Sequence, residues 1–161
     1  MDLEPKRFIA DVMLGRLAKW LRIIGYDTLY DRNIEDSQLI RNAARENRIL
    51  LTRDAELFDR GGFQGVFIEA QDLSSQLAQI IKELALKPTI AEGVRCPLCN
   101  ESLHTVHKET VRELVPAFVY ATQLDFSRCP RCGKIFWKGT HWQKIKRRLE
   151  EMGFTLPSGE P

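Results

Sequence analysis

Two rhythms alternate along the first half of the chain. Phe8-Ile9-Ala10 is a short apolar run ending at Asp11, after which Leu14, Leu17, Ala18, Leu21 and Ile24 recur at helical spacing until Gly25 offers a C-terminal stop. Tyr26 to Tyr30 reads as a second strand, and Asp36 or Ser37 caps a helix carrying Leu39, Ile40, Ala43 and Ala44. Arg48 to Thr52 is a third strand, followed by Arg53-Asp54 and a short helical turn that stops at Gly61-Gly62. Val66-Phe67-Ile68 makes a fourth strand, and Asp72 caps a long helix that turns Leu73, Leu77, Ile80, Ile81 and Leu84 inward. This βαβαβαβα alternation predicts an α/β fold, a small and mostly parallel sheet with right-handed crossovers and helices on both faces. With the common order 2-1-3-4, strands one and three are neighbours, and ligands bind at the C-terminal edge of such a sheet.

The rhythm breaks after the long helix. Leu86 to Arg95, with Pro88 and Gly93, reads as a linker dividing the chain into residues 1–90 and 91–161. Beyond it Ile135-Phe136-Trp137 is a predicted strand, His141 to Met152 a helix with a heavily basic face, and Phe154 to Pro161 a loose tail. The 161 residues are 43% apolar and 29% charged, ordinary globular composition with enough chain to bury a sizeable core. The longest nearly uncharged apolar stretch, Leu114 to Ala121, contains Pro116 and is far short of the roughly 20 residues that cross a bilayer. Asp2 and Glu4 sit where a secretory signal would need an apolar run, so a cytoplasmic protein is expected.

Net charge is only +2, but its distribution is uneven. Residues 1–91 carry 13 basic and 14 acidic side chains, whereas 92–161 carry 11 and 8. Between positions 128 and 148, Arg128, Arg131, Lys134, Lys138, Lys144, Lys146, Arg147 and Arg148 occur with no acidic residue among them. That stretch is a candidate polyanion contact; it equally suits the neutralisation of a thiolate centre of net negative charge.

All four cysteines lie in the second part, as Cys96-Pro97-Leu98-Cys99 and Cys129-Pro130-Arg131-Cys132. In a reducing compartment two such pairs read as a tetrahedral metal site, because each tight knuckle aims two thiolates at one point. Asn100 and Gly133 follow the pairs, where the turn needs a positive φ. Structural zinc is favoured over iron, with disulfides or a redox pair as the alternative. The 29 residues between the pairs exceed the usual spacing and predict an extra hairpin.

Three carboxylates fall on the predicted C-terminal edge: Asp11 after strand one, Asp36 at the head of the second helix, and Asp54 after strand three. Gathered together they would hold a hard cation, magnesium or manganese, which can acidify a water and stabilise a departing phosphodiester oxygen. Taken singly, each is better read as a helix cap, and it is their coincidence on one edge that points to a cation. Glu56 and Asp59 are possible additional acidic residues, with Glu35 beside Asp36 as a further one. Arg16, Lys19 and Arg22 on the first helix are candidate RNA contacts, which a solvated amphipathic face explains equally well, and Lys138, His141, Lys144, Lys146, Arg147 and Arg148 near the C-terminus are further candidates. Trp20 reads as half-buried packing, with stacking on a base as the alternative, and His104 and His107 read as hairpin surface. No nucleophile elbow or Gly-rich phosphate loop is present, which removes hydrolase-triad, kinase and dinucleotide classes.

Asp11-Val12-Met13-Leu14-Gly15-Arg16-Leu17-Ala18-Lys19-Trp20-Leu21-Arg22, Gly25-Tyr26-Asp27-Thr28, Leu50-Leu51-Thr52-Arg53-Asp54, the paired cysteines and Phe136-Trp137-Lys138-Gly139-Thr140-His141-Trp142 occur in an order that is quite specific. Over about residues 6–150 they resemble the PIN-like ribonuclease domain with a C-terminal zinc ribbon, found at the end of mutator-type exonucleases and as stand-alone prokaryotic proteins. The resemblance implies a PIN-like core and a metal-dependent ribonuclease. By position it makes Asp11, Asp36 and Asp54 the catalytic acids and Cys96, Cys99, Cys129 and Cys132 the ribbon ligands; a fourth acidic position has no clear match. The expected function is divalent-metal-dependent, endonucleolytic hydrolysis of RNA with the ribbon assisting binding. The alternative is a non-catalytic RNA-binding or ribosome-associated module. A protein partner held through the ribbon is a third possibility, and the sequence is silent on oligomeric state.

Overall fold

The computed structural model describes residues 5–87 and 95–153, without the side chain of His141. Most of the expected linker and the C-terminal tail therefore lie outside the described residues.

Four parallel strands, β1 (Phe8–Ala10), β2 (Thr28–Leu29), β3 (Ile49–Thr52) and β4 (Gly65–Phe67), form a sheet in the order β2-β1-β3-β4. Helices α1 (Gly15–Ile23), α2 (Asp36–Arg45), α3 (Ala55–Arg60) and α4 (Leu73–Leu84) follow the strands in turn. A 3₁₀ turn over Val12–Leu14 intervenes between β1 and α1. The expected order and alternation are thus observed.

Side chains alternate across the strands, so the sheet has two cores. Phe8, Ala10, Leu51, Val66 and Ile68 face one side, where they meet Leu17, Ala18 and Leu21 of α1 and Leu77, Ile80 and Ile81 of α4. Ile9 and Leu50 face the other, against Leu39 and Ala43 of α2 and Leu57 of α3.

The C-terminal part builds a second sheet, antiparallel, from β5 (His104–Val106), β6 (Phe126–Arg128) and β7 (Ile135–Trp137). Val111, Phe126 and Ile135 form its small core, with Val119 and Trp137 packed against them. The extra hairpin is the β5–β6 pair, and its connection contains a 3₁₀ turn at Lys108–Val111 and a helix, α5 (Ala117–Thr122), that periodicity did not reveal. Pro116 precedes α5, a position where its missing N–H costs no helical bond.

The last helix, α6 (Thr140–Glu151), returns to the parallel sheet. Ile145 and Leu149 are buried in the first core, with Trp142 and Met152 half-buried beside them at helical spacing. Among the described residues, no helix is long and apolar enough to cross a membrane.

Candidate functional site

Register places the first candidate centre. Ala10 of β1 pairs with Leu51 of β3, so the following residues, Asp11 and Thr52, stand side by side at the ends of adjacent strands. Both share the side-chain parity of Ile9 and Leu50, the face covered by α2 and α3. Asp11 is only 4% exposed. Its Oδ1 accepts the Val12 N–H at 2.6 Å, and its Oδ2 accepts the Thr52 hydroxyl at 2.8 Å. The same hydroxyl oxygen accepts the Asp54 N–H at 3.0 Å, so Thr52 ties Asp11 to the chain at Asp54.

Asp54 is also the N-cap of α3, with Oδ1 accepting from Glu56 N at 3.0 Å and Leu57 N at 3.2 Å. Asp36 belongs to a different element. It is the first residue of α2, the N-cap being Glu35, and its 44% exposed side chain places Oδ2 at 4.0 Å from Arg60 Nη2. The oxygens of Asp11, Asp36 and Asp54 do not all lie within 4.8 Å of one another; among the described residues the cysteines alone form such a group. Glu35, Glu56 and Asp59 are exposed around the edge.

Magnesium is usually held by one or two carboxylates together with water and substrate phosphate. The donor chemistry of Asp11 and Asp54 suits that smaller requirement, because each carboxylate oxygen can accept a second partner. Thr52 is the residue that strand patterning missed. The Thr-Arg-Asp triplet carries a signal only once β1–β3 register is known.

The second centre is assembled from two matching turns. Cys96 N–H donates to Glu101 O at 2.8 Å and Asn100 N–H to Cys96 O at 2.8 Å; five residues and four residues apart, Cys129 and Lys134, then Gly133 and Cys129, repeat this at 3.0 and 2.9 Å. Asn100 and Gly133 take the positive φ that the sequence predicted, 69° and 76°. All four sulfurs lie within 4.8 Å of one another, Cys96 Sγ and Cys132 Sγ at 3.9 Å. A disulfide needs about 2.05 Å, whereas four ligands at a Zn–S distance of about 2.3 Å stand about 3.8 Å apart. The donor set fits zinc. Burial pushes the Cys96 thiol up and the Cys99 thiol up to about 12, whereas at Cys129 the N–H groups of Cys132 and Arg131 outweigh burial and hold the thiol at about 7, making Cys129 the readiest thiolate donor.

Buried polar contacts join the first turn to the parallel sheet. Asn100 Oδ1 accepts the Thr28 N–H at 2.9 Å, and Asn100 Nδ2 donates to Asp27 Oδ1 at 2.6 Å. Arg48 donates through Nη1 to the same carboxylate oxygen at 2.8 Å and through Nε to Glu46 at 2.6 Å. Burial pushes the Asp27 carboxyl up, yet the hydrogen bonds from Arg48 and Asn100 leave it below the usual range. None of this was anticipated, since Asp27 and Arg48 resemble loop and strand-end charges in one dimension.

Arg22 differs from its expected role. It is 6% exposed, donating to Thr28 O and Pro97 O at 2.8 Å each, so its guanidinium faces inward. Burial lowers its pKa, with the Cys96 and Cys99 sulfurs acting in the opposite sense. The amphipathic count put it with Arg16 and Lys19, which are exposed; a buried arginine with carbonyl partners has no distinguishing periodicity. On α6, Lys144, Arg147 and Arg148 are exposed and Lys146 half-buried, while Lys138 lies over the Trp142 ring at 5.8 Å. The side chain of His141 lies outside the described residues.

Comparison with known proteins adds one match. The family model described as Mut7-C RNAse domain covers residues 6–149. No curated protein and no solved structure matches the chain.

Proposed function

The chain belongs to the Mut7-C RNAse domain family, and on that premise we propose that it is a divalent-metal-dependent ribonuclease that cuts RNA internally at the C-terminal edge of the parallel sheet. The observation carrying this proposal is the Asp11–Thr52–Asp54 junction at the ends of β1 and β3. Asp11 and Asp54 are the residues that would hold magnesium or manganese. Asp36, on the same edge at the head of α2, is the third acid, with Glu56 and Asp59 as further acidic positions on α3. A bound divalent ion supplies an acidified water and charge stabilisation for the departing oxygen. The chain itself fixes Asp11 through two hydrogen bonds, keeps the carboxylate mostly from solvent and offers cations to the RNA backbone. Zinc on Cys96, Cys99, Cys129 and Cys132 has a structural role, and the basic face of α6 assists RNA binding.

The test compares wild type with Asp11→Asn and Asp54→Asn on labelled RNA, with Mg²⁺ or Mn²⁺ and excess zinc. Asparagine is also a good N-cap, so Asp54→Asn keeps α3 capped. Cleavage should fall by about 100-fold or more, the scale of losing a charge-stabilising group. Equal cleavage by all three proteins overturns the proposal.

A second reading draws on the three acids not gathering into one group within 4.8 Å. A non-catalytic RNA-binding module needs no gathered carboxylates, and it predicts salt-sensitive RNA affinity, weakened at Lys144 or Arg147, with no cleavage under any divalent ion.

A further inference from the structure

The outward stripe of α1 does not face open solvent throughout. Arg16, Lys19, Trp20 and Ile23 stand at positions i, i+3, i+4 and i+7, and together they form one wall of a cleft of about 300 Å³. The opposite wall is Pro97 and Leu98, the two residues inside the first cysteine turn, with Lys134 contributed from just beyond the second. That volume is at the lower end of the range for small-ligand sites.

Three properties limit what can occupy it. Three cations line the cleft and no carboxylate does. Its remaining surface is apolar or aromatic, including Leu98, which is 53% exposed without any packing duty in the three cores. A fourth cation stands nearby, with the Arg148 guanidinium 5.6 Å from the Trp20 ring centre. An occupant combining a flat apolar body with negative charge satisfies all of these. The walls are also built rather than incidental, because the Arg22 guanidinium bonds to Pro97 O and holds the cysteine turn against α1.

We propose that this cleft is a subsite for one unpaired nucleotide of an RNA strand, the base lying against Trp20 and Leu98 and the phosphates meeting Arg16, Lys19 and Lys134. The inference rests on the ribonuclease reading for its choice of RNA. It adds that the zinc-binding turns shape a base-accepting site that borders the basic face of α6 at Arg148. Duplex RNA keeps its bases inside the stack and cannot fill the cleft, so the subsite selects unpaired segments. Helix α1 starts just after Asp11 and is about 13 Å long, which puts cleft and carboxylate edge within reach of one short strand.

The experiment uses zinc-loaded full-length protein without Mg²⁺ or Mn²⁺, so that binding is read apart from cleavage. Anisotropy with a labelled single strand and with the same strand annealed to its complement gives the two affinities. A preference of about tenfold or more for the single strand is expected, and Leu98→Ala should weaken single-strand binding by about fivefold, the scale of the apolar contact its isobutyl group loses. Lys134→Ala should reduce the salt slope of single-strand binding by about one ion. Quenching of tryptophan emission by the single strand should largely vanish in Trp20→Phe, in which Trp137 and Trp142 remain. Zinc content of each variant is measured to show that the turns persist. Equal affinity for both forms of RNA, or zinc-loaded Leu98→Ala and Lys134→Ala proteins binding like wild type, overturns the subsite. Single-strand selectivity with no cleavage instead sinks the catalytic reading and leaves the subsite standing.

Discussion

The two candidate metal centres are built on different plans. At the thiolate centre each pair of cysteines is fixed within one four-residue turn, and both turns use the same hydrogen bonds, so a single relation between two turns brings four sulfurs within 4.8 Å. At the carboxylate edge Asp11, Asp36 and Asp54 come from three separate segments, and only Asp11 and Asp54 are joined, through Thr52. The chemistry differs as well. Thiols can crowd while protonated and release their protons as a metal binds, whereas gathered carboxylates repel one another unless a cation intervenes. A local motif therefore yields a gathered site from chain geometry alone, and a site of dispersed acids depends on register and on a counter-charge.

The largest effect should come from breaking the gathered site. Cys129→Ser removes one of four thiolates, and the zinc content should drop well below about one per chain. Structural zinc contributes roughly 10–16 kcal/mol in small zinc-binding peptides, so β5–β7 should lose its fixed packing, seen as loss of near-UV signal from Trp137. Asp11→Asn and Asp54→Asn should leave zinc content and that signal intact. A Cys129→Ser protein with wild-type zinc and near-UV spectrum would show that the turns are held by the sheet rather than by metal.

An intermediate effect is expected at Thr52. Valine keeps the shape but removes the hydroxyl, leaving Asp11 Oδ2 and the Asp54 N–H each one partner short. A buried polar group without its partner costs about 1–3 kcal/mol, so Thr52→Val should lower the urea midpoint at fixed zinc while Thr52→Ser stays close to wild type. If valine is tolerated with unchanged cleavage, the two acids do not depend on the hydroxyl and the edge is not organised as described.

What could be read in one dimension follows the same division. The β2-β1-β3-β4 order came from alternation and common topology, and Asn100 and Gly133 from the backbone demands of a cysteine turn. These features repeat or lie within a few residues. Thr52, Asn100 and Arg48 act across 41, 73 and 21 residues, and no local pattern announces a partner that distant. Arg22 shows the converse error, since a helical stripe of cations reads alike whether one member faces solvent or two buried carbonyls. Helix α5 escaped notice because it has only six residues and Phe118 stays exposed while Val119 packs inward, too few positions to show an amphipathic rhythm.

The smallest expected effect sharpens the comparison where the two regions meet. Asp27 accepts from both Arg48 and Asn100, and these bonds outweigh burial to leave its carboxyl below the usual range in the folded chain. A depressed folded value means that the unfolded chain binds the proton more readily, so the carboxylate stabilises the fold fully above the unfolded value of about 3.9. That contribution is lost as pH falls from there through the lower folded value. Acid also competes with zinc for the thiolates, a loss shared by every variant that keeps the cysteines. The informative quantity is therefore the stability difference between wild type and Asp27→Asn across pH in excess zinc. It should be constant from neutrality down to about pH 5 and shrink below about pH 4, because the asparagine has no proton to take up. A difference that stays flat throughout would mean that Asp27 holds Asn100 by shape alone. The contact between the cysteine turn and the sheet would then carry no charge dependence.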